Sequence, residues 1–234
     1  MVTVGIIGGI GPESTIEYYQ LIIALYREEK KDDNYPSLLV NSINLKRLRD
    51  LMADNRLEEV ARYLSAEVER LVLAGANFGI IGANTPHIVF DEVQAVSPIP
   101  LISIVEEACR YAKGLDLRRV GLLGTTYTML GGFYEKVFEK EAIEIFIPSA
   151  EKDREYIHEK YFDELVHGVV LDETKEMLLR IVSRLKVEQK IEGLILGGTE
   201  LSLILKDGDD PSIPFLDTTR IHAASVVREL LKAE

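Results

Sequence analysis

The chain has 234 residues, 47% of them hydrophobic, with a formal net charge of -12 and a pI near 4.9. That is enough apolar material for a sizeable core in one domain or two, while no run of Lys or Arg is long enough to leave a footprint for nucleic acid or an anionic membrane, so neither is expected as a partner. A single cysteine, Cys109, excludes an intrachain disulfide and a cysteine metal cluster, and it reads as a buried structural thiol.

The amino-terminal segment enters a strand pattern directly, Val2-Thr3-Val4-Gly5-Ile6-Ile7, with no basic segment or long apolar stretch. A cytoplasmic protein is therefore expected. Gly8-Gly9-Ile10-Gly11-Pro12-Glu13-Ser14-Thr15 follows, then a helical pattern over 16–27. Glycines here let backbone approach a ligand at a helix amino terminus, where N–H groups favour an anion. A dinucleotide fingerprint would need a third glycine near Ser14 and an acidic end to the next strand. That strand, 37–44, ends in amides, which argues against a nucleotide.

Residues 57–73 form an amphipathic helix pattern with Val60, Leu64, Val68, Leu71 and Val72 on one stripe, closed by Ala74-Gly75-Ala76-Asn77. A buried strand over 78–82 leads into Ala83-Asn84-Thr85-Pro86-His87. A strand between proline turns, 98–104, and a helix to about 114 follow. The plan then repeats: strand 119–124, Thr125-Thr126-Tyr127-Thr128, strand 143–147, a Tyr- and Phe-rich helix over 155–166, a helix over 174–185, strand 193–196, Gly197-Gly198-Thr199-Glu200, strand 213–219 and a terminal helix over 221–231 expected to pack across both halves. Lys206 to Pro211 is an acidic loop without the ligand ladder of a calcium hand.

Correspondences between the halves keep a near-constant step in numbering: Val4 with Val120, Asn84 with Thr199, Ile99 with Ile213. The step is far longer than a solenoid repeat, so the chain reads as two similar lobes. Alternating strands and helices specify α/β units, each a mostly parallel sheet flanked by helices. We expect one lobe from residues 1–97 with the segment near 213–234, and the other from 98–212. Each duplicated strand end follows an apolar run with small residues and then hydrogen-bonding side chains, as a strand does where its carboxyl edge lines a pocket.

Gly5 to Thr15, Asn84-Thr85-Pro86-His87, Leu122 to Met129 with Phe133-Tyr134, and Gly197-Gly198-Thr199-Glu200 together resemble the PLP-independent aspartate/glutamate racemase superfamily over nearly the whole chain, and most nearly its broad-specificity amino-acid racemase branch. The resemblance implies two pseudo-symmetric lobes with an active-site cleft between them, a small amino acid as substrate, an isomerase that needs no cofactor or metal, and a homodimer. Inverting an α-carbon requires acid/base groups on opposite faces of the substrate. The family usually supplies two cysteines, and the resemblance puts their places at Ala83 and Gly198, neither of which can carry a proton.

The groups beside those places are the candidate replacements: Thr85, His87, Thr199 and Glu200, with Glu200 favoured because a carboxylate can shuttle a proton. The resemblance assigns Ile10, Glu13, Ser14, Asn84, Thr85, Thr125, Thr126 and Thr128 to substrate binding. Lys46 and Arg47 could reach a distal side-chain carboxylate, which would favour acidic amino acids, although the bland reading puts Arg47 and Arg49 on a solvated helix face. The four histidines, His87, His158, His167 and His222, lack metal-ligand spacing. Three functions stay open: a racemase whose proton transfer uses other groups, a catalytically silent carboxylate-binding homologue and, ranked last because those chemistries also lean on a cysteine in the cleft, a relative that carries out decarboxylation or cis/trans isomerisation on the same scaffold.

Overall fold

The computed structural model describes residues 2–232. In chain order the elements are β1 (Thr3–Gly8), α1 (Pro12–Lys30), β2 (Ser37–Ser42), α2 (Leu45–Ala53), α3 (Leu57–Leu73), β3 (Phe78–Ile81), α4 (Phe90–Val96), β4 (Leu101–Ile102), α5 (Ile104–Gly114), β5 (Arg119–Gly124), α6 (Thr126–Leu130), α7 (Phe133–Phe138), β6 (Glu144–Phe146), α8 (Glu151–Asp163), α9 (Asp172–Gln189), β7 (Gly193–Gly197), α10 (Leu201–Ile204), β8 (Phe215–Asp217) and α11 (Thr218–Lys232). Single 3-10 turns occupy Thr85–Val89, Glu139–Glu141 and Leu165–His167.

Two parallel four-stranded sheets result, ordered β2-β1-β3-β4 and β6-β5-β7-β8. The same order twice is the duplication expressed as topology. In the first sheet Ile6 lies beside both Val40 and Ile80; in the second Leu122 lies beside Ile195.

Strand alternation decides which helices cover which face. In the first unit Val4, Ile6, Phe78 and Ile80 pack against Tyr18, Ile22 and Tyr26 of α1 and against Ala223, Val226, Val227 and Leu230 of α11. The opposite face is set by Gly5, where an added Cβ would lie 2.9 Å from the Leu71 side chain, so α3 sits hard against the strand. The second unit repeats this at Gly121, whose added Cβ would lie 2.7 Å from Ile191 and 2.9 Å from Leu185 of α9. Its core joins Leu194, Leu196 and Phe215 to Ile157 of α8 and to Leu178, Ile181 and Val182 of α9.

The compact units comprise residues up to 104 with those from 222 onward, and residues 105–221. This differs from the expected boundary in both places. Leu101–Ile102 pairs with β3, and Phe215–Asp217 pairs with β7, because each closes the edge of its own sheet. The terminal helix buries its apolar stripe in the first unit's core. Smaller differences lie at element ends. The first helix begins at Pro12 rather than 16, since proline at the first helical position has no N–H to lose. The aromatic helix runs Glu151–Asp163 and stops before a 3-10 turn that ends at Gly168, whose φ is +70°.

Candidate active site

In each sheet the connections leave the two central strands in opposite directions, which opens a crevice at their carboxyl ends. In the first unit that point lies between β1 and β3, and the Gly82 N–H donates to the Ile7 carbonyl across it, 2.9 Å away. The second unit places it between β5 and β7, with Gly124 beside Gly197.

The first strand of each unit ends in a glycine for the same reason. An added Cβ at Gly8 would meet Thr15 Cγ2 at 2.6 Å, and one at Gly124 would meet the Gly197 carbonyl at 2.6 Å and Thr128 Cγ2 at 2.9 Å. A threonine early in the following helix thus packs directly on the strand end in both units. Thr15 also organises the glycine loop: its hydroxyl accepts from the Gly9 N–H at 2.8 Å and donates to the Gly11 carbonyl at 3.0 Å. Gly9 and Gly11 have φ of +75° and +103°, which side chains rarely tolerate. The N-cap residue of α1 is Gly11, which has no side chain with which to cap it. Ile10 and Ser14 are buried within this loop and first turn, and Glu13 is exposed. In the second unit Thr125 caps its helix, its hydroxyl accepting from the Thr128 N–H at 3.2 Å and lying 3.2 Å from the Thr128 hydroxyl. The Thr126 N–H donates to His158 Nδ1, 3.2 Å away.

Beyond β3, Ala83 and Asn84 are buried and Thr85 opens the 3-10 turn. His87 is fully engaged. Its Nδ1 lies 2.9 Å from the Ala83 carbonyl, and its Nε2 lies 3.2 Å from the Ile104 N–H. Since a carbonyl can only accept and an N–H only donate, the ring is the neutral Nδ1–H tautomer. Burial, reinforced by His222 with its ring centre 6.3 Å away, pushes the His87 pKa down from 6.5 to about 3. His87 therefore braces the strand end against α5, and both of its nitrogens are spent on backbone.

His222 is held in the same way. Its Nε2 donates to the Ile102 carbonyl at 3.0 Å and its Nδ1 accepts from the Tyr18 hydroxyl at 2.8 Å.

Beyond β7, Gly198, Thr199 and Glu200 are buried, with Glu200 completely so. Glu200 Oε2 accepts from the Thr199 hydroxyl at 2.8 Å and from the Tyr161 hydroxyl in a short hydrogen bond. Burial first, and then the neighbouring Glu200 carboxylate, hold the Tyr161 phenol well above its ordinary pKa, so it remains a proton donor. The Tyr161 ring also fills the space beside Gly198: an added Cβ would stand 2.5 Å from Tyr161 Cε2 and 3.2 Å from Cζ.

Of the residues singled out from sequence, Gly198, Thr199 and Glu200 are gathered around Tyr161, and Ala83 is tied to His87. Lys46 is elsewhere. Its ammonium pairs with Asp50 at 2.6 Å on an exposed face of α2, beside Arg47, which stacks 4.4 Å over Tyr63. Sequence reasoning missed Tyr161, His158 and the Tyr18–His222 pair. Their places follow from helix packing, for which a single sequence carries no local signal. Cys109 is buried as expected, its thiol pushed up to about 11 chiefly by burial. No group of side chains suited to a metal ion occurs among the described residues. No helix among them is long and apolar enough to cross a membrane.

Two parallel four-stranded sheets of the same strand order, flanked by helices, are the α/β fold that this chain shares with racemases of known structure. The Asp/Glu/Hydantoin racemase family model matches residues 7–226, and the chain belongs to that family. It is 22% identical to the broad-specificity amino-acid racemase RacX of Bacillus subtilis, over 97% of this chain and 98% of that one. It is 35% identical to an aspartate racemase homologue of known structure from Pyrococcus horikoshii, with a TM-score of 0.82 over 100% of this chain and 99% of that chain. Glutamate racemase from Francisella tularensis, solved with D-glutamate, shares the fold at 15% identity, with a TM-score of 0.66 over 99% of this chain and 82% of that one.

Proposed function

We propose that this chain is a racemase-type protein for a small amino acid, holding its ligand by the α-carboxylate and using neither cofactor nor metal. The observation that carries the reading is the doubled switch point. Each unit closes its central strand with the same glycine–threonine contact, Gly8 on Thr15 and Gly124 on Thr128, and follows its third strand with a buried polar segment. A reaction at an α-carbon needs groups on both faces, and two copies of one strand end are an economical source of them. The amino terminus of the 19-residue α1, whose N-cap is a glycine and which follows a loop of left-handed glycines, suits the carboxylate.

A second reading, carboxylate binding without turnover, is favoured by what stands at the two strand ends. Ala83 is a methyl group, His87 is a neutral brace, and Glu200 is occupied by Thr199 and Tyr161. Incubation with L-aspartate, L-glutamate and other L-amino acids in D2O separates the two. Incorporation of α-deuterium supports proton transfer. Ligand-induced thermal stabilisation without exchange supports the binding reading, and a panel that produces neither would sink both. A homodimer is part of the same proposal, and the mass in solution tests it.

A further inference from the structure

We propose that Tyr161 is the substitute for the second sulfur in space, though not in chemistry: it and Gly198 form a matched pair in which the ring closes that half-site to proton abstraction. The inference rests on the family reading only for the claim that a thiol belongs at position 198.

Gly198 is not forced by the backbone, since it lies outside the left-handed region that favours glycine. What excludes a side chain is the ring, whose Cδ2, Cε2 and Cζ all come within 3.3 Å of where the Cβ would be. Real Cβ atoms do not approach carbon at 2.5 Å, so a residue with a side chain at 198 requires Tyr161 to move.

Movement is resisted at both ends of the ring. Its hydroxyl is held by Glu200, and its edge packs against Phe162 with ring centres 5.4 Å apart, in the core that also contains Ile157 and Leu201. The residues that anchor the phenol, Thr199 and Glu200, directly follow Gly198. Three consecutive residues therefore supply both the space and the anchor.

The chemistry changes with the exchange. A thiolate can take a proton from an α-carbon, whereas a phenol held protonated can only give one, and its proton already goes to Glu200. Trimming a cysteine to glycine would leave a void. Here a large side chain fits the space, as it would if the two positions had changed together.

A double-mutant cycle tests the pairing on the full chain without ligand. Gly198→Ala alone should lower the melting temperature by about 5 °C, the usual scale for overpacking by a methyl group in a chain of this size. In a Tyr161→Ala background the same change should cost nothing or raise the melting temperature. Tyr161→Phe, which keeps the ring and drops the hydroxyl, should leave the penalty intact and so guards against an unfolded Tyr161→Ala variant. Gly198→Cys supplies a chemical readout: its thiol should label slowly with a disulfide reagent when Tyr161 is present and at least tenfold faster in Tyr161→Ala, against the Cys109 background of the parent. A Gly198→Ala penalty that is absent, or unchanged by Tyr161→Ala, would overturn the pairing, as would rapid labelling of Gly198→Cys alone. α-Deuterium exchange in Gly198→Cys,Tyr161→Ala but in neither single variant supports closure. Coupling without exchange in any of the four counts against the family reading of position 198 and leaves the steric pairing standing.

Discussion

The two units solve the same local problem differently. After β3 the chain keeps a small side chain, Ala83, and secures the turn with a buried imidazole that bonds backbone at both nitrogens. After β7 it keeps no side chain, Gly198, and secures the turn with a phenol that reaches in from α8 and ends on Glu200. One solution is local in sequence, four residues from Ala83 to His87. The other spans the distance from Tyr161 to Glu200. Duplication thus preserved the backbone frame, meaning strand order, switch point and glycine–threonine contact, while the polar groups at each strand end were free to diverge.

The largest effect that would break this comparison lies in the first unit. His87→Ala removes a ring that satisfies the Ala83 carbonyl and the Ile104 N–H, and it leaves a cavity beside Phe90, which stacks on the imidazole at 5.0 Å. Each stranded backbone group costs about 1–3 kcal/mol and the cavity adds to it, so a loss of about 3–5 kcal/mol is expected in urea unfolding. A change below about 1 kcal/mol would mean that the imidazole is no brace.

Acid titration sharpens the same point. The folded pKa of His87 is depressed to about 3 against 6.5 in its ordinary state, so the unfolded chain binds the proton more readily between those values. The stability held by the neutral ring is fully present above pH 6.5 and is lost as the pH falls toward 3, with a slope from this group of up to about 1.4 kcal/mol per pH unit. In His87→Asn that component should vanish from the pH dependence of unfolding, whatever remains from the carboxylates.

In the second unit Glu200→Gln keeps the shape of the anchor but weakens two hydrogen bonds to the carboxylate, from Thr199 and from Tyr161. A destabilisation of about 1–3 kcal/mol follows, smaller than at His87 because an amide oxygen still accepts. Unfolding that leaves wild-type stability intact would show that the phenol needs no anchor.

How much of this was legible beforehand follows the range of the forces involved. The duplicated strands, the α3 stripe of Val60, Leu64, Val68 and Leu71, and the short polar segments after each strand are written in local periodicity, and they stand where the pattern placed them, while Val72, expected on the same stripe, is only half-buried. The family resemblance rested on the same segments. The exchange of edge strands was misread because Leu101–Ile102 and Phe215–Asp217 follow one another's pattern so closely that only hydrogen-bond partners assign them to a sheet. His87 sat in the motif, but its role as a brace depends on the Ile104 N–H across the turn. Tyr161 was invisible for a stronger reason: an aromatic residue on an aromatic-rich helix carries no mark of the glycine it overlies.

The smallest expected effect concerns Lys46, where the comparison with the strand ends is one of exposure. Its side chain is 81% exposed, and its partner Asp50 lies one helical turn along α2, so the pair gains little over solvated charges. Lys46→Ala should shift stability by no more than about 0.5 kcal/mol. If the ligand's distal carboxylate were bound there, the same variant would weaken acidic amino acids selectively, which thermal shift with aspartate against alanine would detect. The geometry favours the opposite result, equal shifts for both amino acids in variant and parent, because the ammonium is already paired with Asp50 on an exposed face of α2. Equal shifts would leave preference among amino acids to groups nearer Ala83 and Tyr161, where the two units differ most.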